Sequence, residues 1–183
     1  MANFEEQAAE EEQTVPLAQG MNWWSTYLDI TLAELKDAIA DALGTNGTAT
    51  IKSASGDFIT YTNGGWRPNS LSFDIREMLK IQISTDCAIT LTGFAVDPSE
   101  YEITIHYGNN WIGCLTGESI SVTEAFAGLN PAVGDVIKSK TKSSTYTGTI
   151  WRGELQTLEP GMGYMYQSKA TEDKTFYFGT NAR

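Results

Sequence analysis

Gly20-Met21-Asn22-Trp23-Trp24 is the stretch from which the fold is read, because Gly108-Asn109-Asn110-Trp111-Ile112 returns to it 88 positions later. The matches then continue in order. Ile51-Lys52-Ser53 comes back as Ile137-Lys138-Ser139, Thr60-Tyr61-Thr62 as Thr145-Tyr146-Thr147, and Trp66-Arg67 as Trp151-Arg152. Leu71 pairs with Leu155, and Gly93 with Gly179. A self-similar chain is read first as copies of one structural unit. The expected organisation is an acidic, disordered tail over residues 1–12, one unit over 13–94 and a second over 95–183. Units this small hold limited cores, so the two are expected to pack on each other.

Each unit is predicted to open with an extended segment, Thr14 to Leu17 or Ile103 to Tyr107, which runs on through the Asn-Trp pair. A glycine inside such a segment marks a bulge or a close backbone approach, and Gly20 and Gly108 hold that place. Thr31-Leu32-Ala33-Glu34 and Ser121-Val122-Thr123-Glu124 both fit the capping box that starts a helix. Leu32, Leu35, Ile39 and Leu43 follow at helical spacing, as do Val122, Ala125, Phe126 and Leu129 before Pro131. Strands are then expected at Ala49 to Lys52, Phe58 to Thr62, Leu79 to Ile83 and Ala88 to Thr92. Val136 to Lys138, Tyr164 to Tyr166 and Thr175 to Phe178 are their counterparts in the second unit. The fold class is α+β with β dominant: per unit, a strand, a short helix and about four strands.

Composition narrows the functional classes. Acidic residues number 23 against 12 basic ones, for a formal charge of −11. Glu5, Glu6, Glu10, Glu11 and Glu12 stand near the start with no basic residue among them, the composition of a solvated tail. The acidic balance argues against nucleic acid, whose phosphates call for clustered Lys and Arg. No apolar run approaches the roughly 20 residues needed to span a bilayer, so membrane insertion is not expected. The first residues lack the basic and apolar regions of a secretory signal. The expectation is therefore either an intracellular protein or a piece of a longer one. Cys87 and Cys114 have no counterparts in the opposite unit. They read as free, at least partly buried thiols, with one bridge between them as the alternative.

Catalytic chemistry finds little support. His106 is the only histidine, and no Gly-x-Ser-x-Gly elbow accompanies it. A carboxylate pair for glycoside hydrolysis remains open, but Glu34 and Glu124 are explained by capping, and Asp97, Glu100 and Glu102 fall near the connection between units. Asp57 lacks the alternating oxygen ligands of a calcium loop and reads as a turn residue after Gly56. Gly161-Met162-Gly163 leads into a strand and not a helix, the wrong context for a phosphate loop. No catalytic residue, metal or cofactor is assigned. The aromatic residues are more informative. Trp23 and Trp111 are expected to pack in the core. Trp66-Arg67 and Trp151-Arg152 are the candidate ligand-binding residues, the arginine stacking on its neighbouring ring or pairing with an acid.

The motifs Gly20-Met21-Asn22-Trp23, Ile137-Lys138-Ser139, Trp151-Arg152-Gly153-Glu154-Leu155 and Gly161-Met162-Gly163-Tyr164-Met165-Tyr166 give the chain its family likeness. It resembles a repeat found in large secreted or cell-surface proteins of gut Bacteroidetes, over residues 13–179. The first unit departs from the pattern where Arg67-Pro68-Asn69 replaces the glycine and Glu77-Met78-Leu79 replaces Gly-Tyr-Met. The resemblance implies a non-catalytic, extracellular module of a larger protein, serving as spacer, adhesin or binding unit toward a protein or glycan. It transfers no functional residue. A carbohydrate-binding module using exposed Trp and Tyr is the second reading, and a fibre or decoration protein of a phage infecting the same bacteria is the third. The leading reading predicts duplicated aromatics that are mostly buried and no deep polar cleft.

Overall fold

The computed structural model describes residues 9–68 and 70–179. Strands β1 (Glu10–Leu17), β2 (Gly20–Trp24) and β3 (Leu28–Asp29) precede helix α1 (Leu32–Leu43). Then come β4 (Ala49–Lys52), β5 (Phe58–Thr62), β6 (Gly65–Arg67), β7 (Leu79–Ile83) and β8 (Cys87–Ala95). A short 3-10 turn, Pro98–Glu100, leads into β9 (Ile103–Ile105), β10 (Gly108–Gly113) and β11 (Ile120–Ser121), and helix α2 covers Val122–Ala125. The chain continues with β12 (Val136–Lys138), β13 (Ser143–Tyr146), β14 (Trp151–Gly153), β15 (Thr157–Leu158), β16 (Gly163–Ser168) and β17 (Lys174–Phe176). The architecture is β-dominant, with several sheets and one helix of more than a single turn.

Two five-stranded antiparallel sheets organise the molecule, in the orders β2-β7-β4-β5-β6 and β10-β16-β12-β13-β14. Alternation fixes which face is inward. In β7, Leu79, Ile81 and Ile83 are buried while Lys80 and Gln82 point away. Each sheet backs onto its own core. The first gathers Leu35, Ile39, Ile51, Ile59, Leu79 and Ile81. The second gathers Phe126, Ile137, Trp151, Tyr164, Tyr166 and Phe176. A three-stranded sheet, β1-β8-β3, flanks the first core, and a β17-β9 pair flanks the second.

Helix α1 forms because its start is fully capped and one stripe is apolar. The Thr31 side chain accepts from the Glu34 amide at 3.3 Å, and the Glu34 carboxylate accepts from the Thr31 amide at 2.7 Å. Leu35, Ile39 and Leu43 are the buried stripe. The second helix is a correction to the sequence reading. Ser121 Oγ accepts from the Glu124 amide at 3.1 Å, but the return bond to the Ser121 amide is not made among the described residues. With half a box and four residues, α2 is a single turn. Two further expectations change. The segment expected to run through the Asn-Trp pair is broken into β1 and β2. Glu10, Glu11 and Glu12, expected in the disordered tail, pair with Phe94, Gly93 and Thr92; residues 1–8 lie outside the described residues.

The two sheets meet end to end. The Ser25 amide donates to Gly161 O at 3.2 Å, and the Gly113 amide donates to Arg76 O at 2.8 Å. Trp24 and Met162 form an isolated antiparallel bridge. Ser25 Oγ donates to Met162 O at 2.6 Å and accepts from the Cys114 amide at 3.0 Å. Close backbone approach explains Gly163: a Cβ there would sit 2.4 Å from Met78 Cβ. The phosphate-loop look of Gly161-Met162-Gly163 is thus a packing requirement at this seam. Cys87 and Cys114 are both free, the first half-buried and the second buried.

Candidate functional site

The Asn-Trp pair has one job per residue. Gly20 and Gly108 sit at φ +95° and +90°, a region costly for side-chain-bearing residues, and turn the chain into β2 and β10. Asn22 holds the turn: its carboxamide oxygen accepts from the Ala18 amide at 3.0 Å, and its Nδ2 donates to Ala18 O at 2.8 Å and to Ile81 O at 3.2 Å. Asn110 makes the same set with His106 at 2.9 and 2.8 Å and with Tyr166 O at 3.3 Å. The following residue alternates outward and the next alternates inward. Trp24 and Ile112 therefore fill the core, at 1% and 2% exposed, while Trp23 and Trp111 are only half-buried. The expectation of core packing for Trp23 and Trp111 belongs one residue later.

What Trp23 and Trp111 do instead is flank a lysine. Lys80 Nζ lies 5.3 Å from the centre of the Trp23 ring and 4.2 Å from that of Trp111, so one ammonium joins the two halves across the seam. Such contacts contribute from about 0.5 kcal/mol when exposed to about 2 kcal/mol when desolvated. Burial, and then the neighbouring charge of Lys52, holds the Lys80 ammonium below the usual lysine range. In the other sheet Met165 takes the corresponding register place, opposite Trp111.

The later Trp-Arg pairs do not form exposed platforms. Trp151 is buried, packed on Phe126 at 5.7 Å and Tyr146 at 5.3 Å. Trp66 is half-buried against Tyr61 at 5.2 Å, and its indole N–H donates to Lys36 O at 3.3 Å. Arg67 and Arg152 are exposed on the opposite face of their strands. Alternation separates each arginine from the preceding ring, so the stacking pair drawn from sequence adjacency is not assembled.

A polar cleft of about 350 Å³ opens beside Trp111, lined by Asp74, Arg76, Glu77, Glu102, His106 and Asn109 among others. The expectation is of no deep polar cleft, and this one is open to solvent. Asp74 is held by Arg76, whose Nη2 and Nε donate at 2.6 and 2.9 Å and whose amide donates at 2.9 Å. These hydrogen bonds keep the Asp74 carboxyl below its ordinary range. Glu77 is shifted the other way, raised by burial and then by the charge of Asp74. Opposed carboxyl shifts are what an acid and base pair require, but Asp74 is spent on the turn into β7. His106 pairs with Asp173 at 2.8 Å out in solvent, a contact worth little. Asp57 is a turn residue, taking the Ser55 hydroxyl at 2.9 Å and returning its carbonyl to the Ser53 amide at 3.0 Å. Among the described residues no cluster of His, Cys, Asp and Glu is arranged to hold a metal, and no helix is long and apolar enough to cross a membrane.

No family model, curated protein or solved structure matches this chain. The site therefore rests on its own geometry, and two parts of it were hidden in the sequence. Lys80 has no repeated partner to draw attention to it, since its counterpart is methionine. Asp74 and Arg76 sit in a loop with no periodic signal; only their short i, i+2 spacing hinted at a local pair.

Proposed function

We propose that this chain is a non-catalytic interaction module, displayed outside the cell as part of a larger protein and built from two copies of one β-dominant unit. The observation that carries the reading is the seam. Ser25, just after β2, and Gly113, the last residue of β10, each donate to the other half just before β16 and β7 respectively. Matched bonds of this kind favour a rigid two-unit block, which suits a spacer or adhesin more than a hinged enzyme. The repeated Asn22 and Asn110 staples support it further, because they hold the two units to one conformation without contributing reactive groups. A fibre or decoration protein of a virion is compatible with the same block.

An enzymatic reading has one specific observation in its favour, the raised Glu77 carboxyl in the cleft beside Trp111. The two are separated by assaying the chain on chromogenic glycosides and esters alongside Glu77→Gln and Glu102→Gln. No turnover above buffer is expected. Turnover by the unaltered chain that disappears in either variant would overturn the non-catalytic reading. Antibody labelling of intact producing cells tests display, with labelling expected before permeabilisation.

A further inference from the structure

Charge is unevenly spread over the two large sheets. The chain carries 23 acidic residues, yet none of them falls within the strands of either five-stranded sheet. The basic residues on those strands, Lys52, Arg67, Lys80, Lys138 and Arg152, all occupy outward positions. Register sets them in rows. Trp23, Lys80, Lys52 and Phe58 are successive cross-strand neighbours, and Trp111, Met165, Lys138 and Ser143 form the matching row. Neighbouring strands are about 4.8 Å apart, so Lys80 and Lys52 stand side by side with like charge, an arrangement that destabilises a sheet. Among the described residues none of these five cations is in an ion pair. Lys140, from the turn between β12 and β13, lines a small crevice together with Trp23.

The geometry points to this outward face as a platform for an acidic polysaccharide, with the Trp23 and Trp111 rings stacking on sugar faces and Lys52, Lys80 and Lys138 pairing with its carboxylate or sulfate groups. The inference rests on the reading of the chain as a binding module. An antiparallel face suits an extended polymer, and the indoles present to pyranose rings the apolar area that the Lys80 ammonium, lying over both, leaves uncovered. Gln82 and Gln167, outward at matching register places, offer amides to sugar hydroxyls. An unpaired anion on the polymer relieves the Lys80–Lys52 repulsion. A nucleic acid fits this face less well. The Asp74, Glu77 and Glu102 carboxyls share the cleft beside Trp111, and Glu10, Glu11 and Glu12 lie on β1, so the basic row is short and bordered by acids, unlike the long continuous basic track that a nucleic acid calls for.

The test is affinity electrophoresis and calorimetry of the whole chain against polygalacturonate, dextran sulfate, neutral dextran and single-stranded DNA. Retention by polygalacturonate or dextran sulfate is expected, the preferred one identifying carboxylate or sulfate as the partner. It should weaken about tenfold or more in the Lys52→Gln/Lys138→Gln double variant and with added salt. Trp111→Ala should weaken it comparably. The lysine variant alters outward positions only, and circular dichroism checks that both variants are folded. Binding to none of the polymers, equal binding to dextran, DNA binding that matches the glycan, or indifference of binding to the lysine variant would each overturn the platform. Cleavage of polygalacturonate by the chain would instead break the non-catalytic reading and leave the binding result standing.

Discussion

The N-terminal half covers its large sheet with the 12-residue α1, whereas the C-terminal half covers the same strand order with a 4-residue turn and a nest of rings. Where the helix is cut short, volume is restored from the strands. Register places Leu79 and Ile81 of β7 level with Tyr164 and Tyr166 of β16. Phe126 stands at the centre, 5.1 Å from Tyr166, 5.3 Å from Phe176 and 5.7 Å from Trp151. A larger residue also brings a polar atom to satisfy. Tyr166 donates its phenol to Asp135 at 2.7 Å, and Asp135 in turn accepts from the Lys169 and Ala132 amides at 2.6 and 2.9 Å. Ala49, at the matching place in β4, belongs to the first hydrophobic core and has no side-chain polar group to satisfy. Burial, then the bond to Asp135, drives the Tyr166 phenol upward, far from any physiological titration. One sheet thus tolerates two different cores, provided volume and hydrogen bonding change together.

The largest expected effect is at the ring nest. Phe126→Ala should cost about 3–5 kcal/mol, with about 0.5–1.5 kcal/mol beyond area for each ring pair lost. Leu35→Ala in the helical half should cost somewhat less, within the roughly 2–5 kcal/mol seen for buried leucines. Urea unfolding of both variants compares them; a larger loss at Leu35 would show that the rings are not the dominant support of their half.

The turn staples should not distinguish the halves. Asn22→Ala and Asn110→Ala each strip the same hydrogen bonds from a turn, for about 1–3 kcal/mol apiece. Matching losses in calorimetric Tm would sharpen the comparison, and a loss confined to one half would break it. This is also where the sequence was most legible. The capped helix and the alternation in β7 could be read directly, because each depends on local spacing. The inward or outward choice at Asn-Trp could not, since two adjacent aromatics at Trp23-Trp24 leave the phase of a strand undetermined. Ile112, opposite Trp24, held that phase and was the informative residue. The cleft and the Lys80 contact depend on how two distant segments meet, which no single-chain periodicity encodes. The closing match also slips: β1 and β8 set Ile89 level with Phe176, so Gly93 falls one residue past Gly179.

Helix capping should distinguish the halves again, more gently. Thr31→Ala should cost about 1 kcal/mol and Ser121→Ala less, since only Thr31 completes its box. Glu34 adds a pH signature. Hydrogen bonds from Thr31, backbone first, lower its folded-state pKa below 4.5. Its contribution is thus present in full above that value and is lost as pH falls through the folded pKa. Glu34→Gln, which removes the titrating carboxyl, should therefore make acid unfolding less steep below about pH 4.5, measured by circular dichroism. The smallest effect is expected from Lys80→Met, which gives both sheets the same residue at that place. Loss of two ring contacts, partly offset by relief from Lys52, should leave stability within about 1 kcal/mol of the unaltered chain.

The seam between the two large sheets is reciprocal. The residue after β2 bonds to the stretch before β16, and the last residue of β10 bonds to the stretch before β7. Each half both gives and takes one backbone bond, so neither can slide along the seam without breaking both.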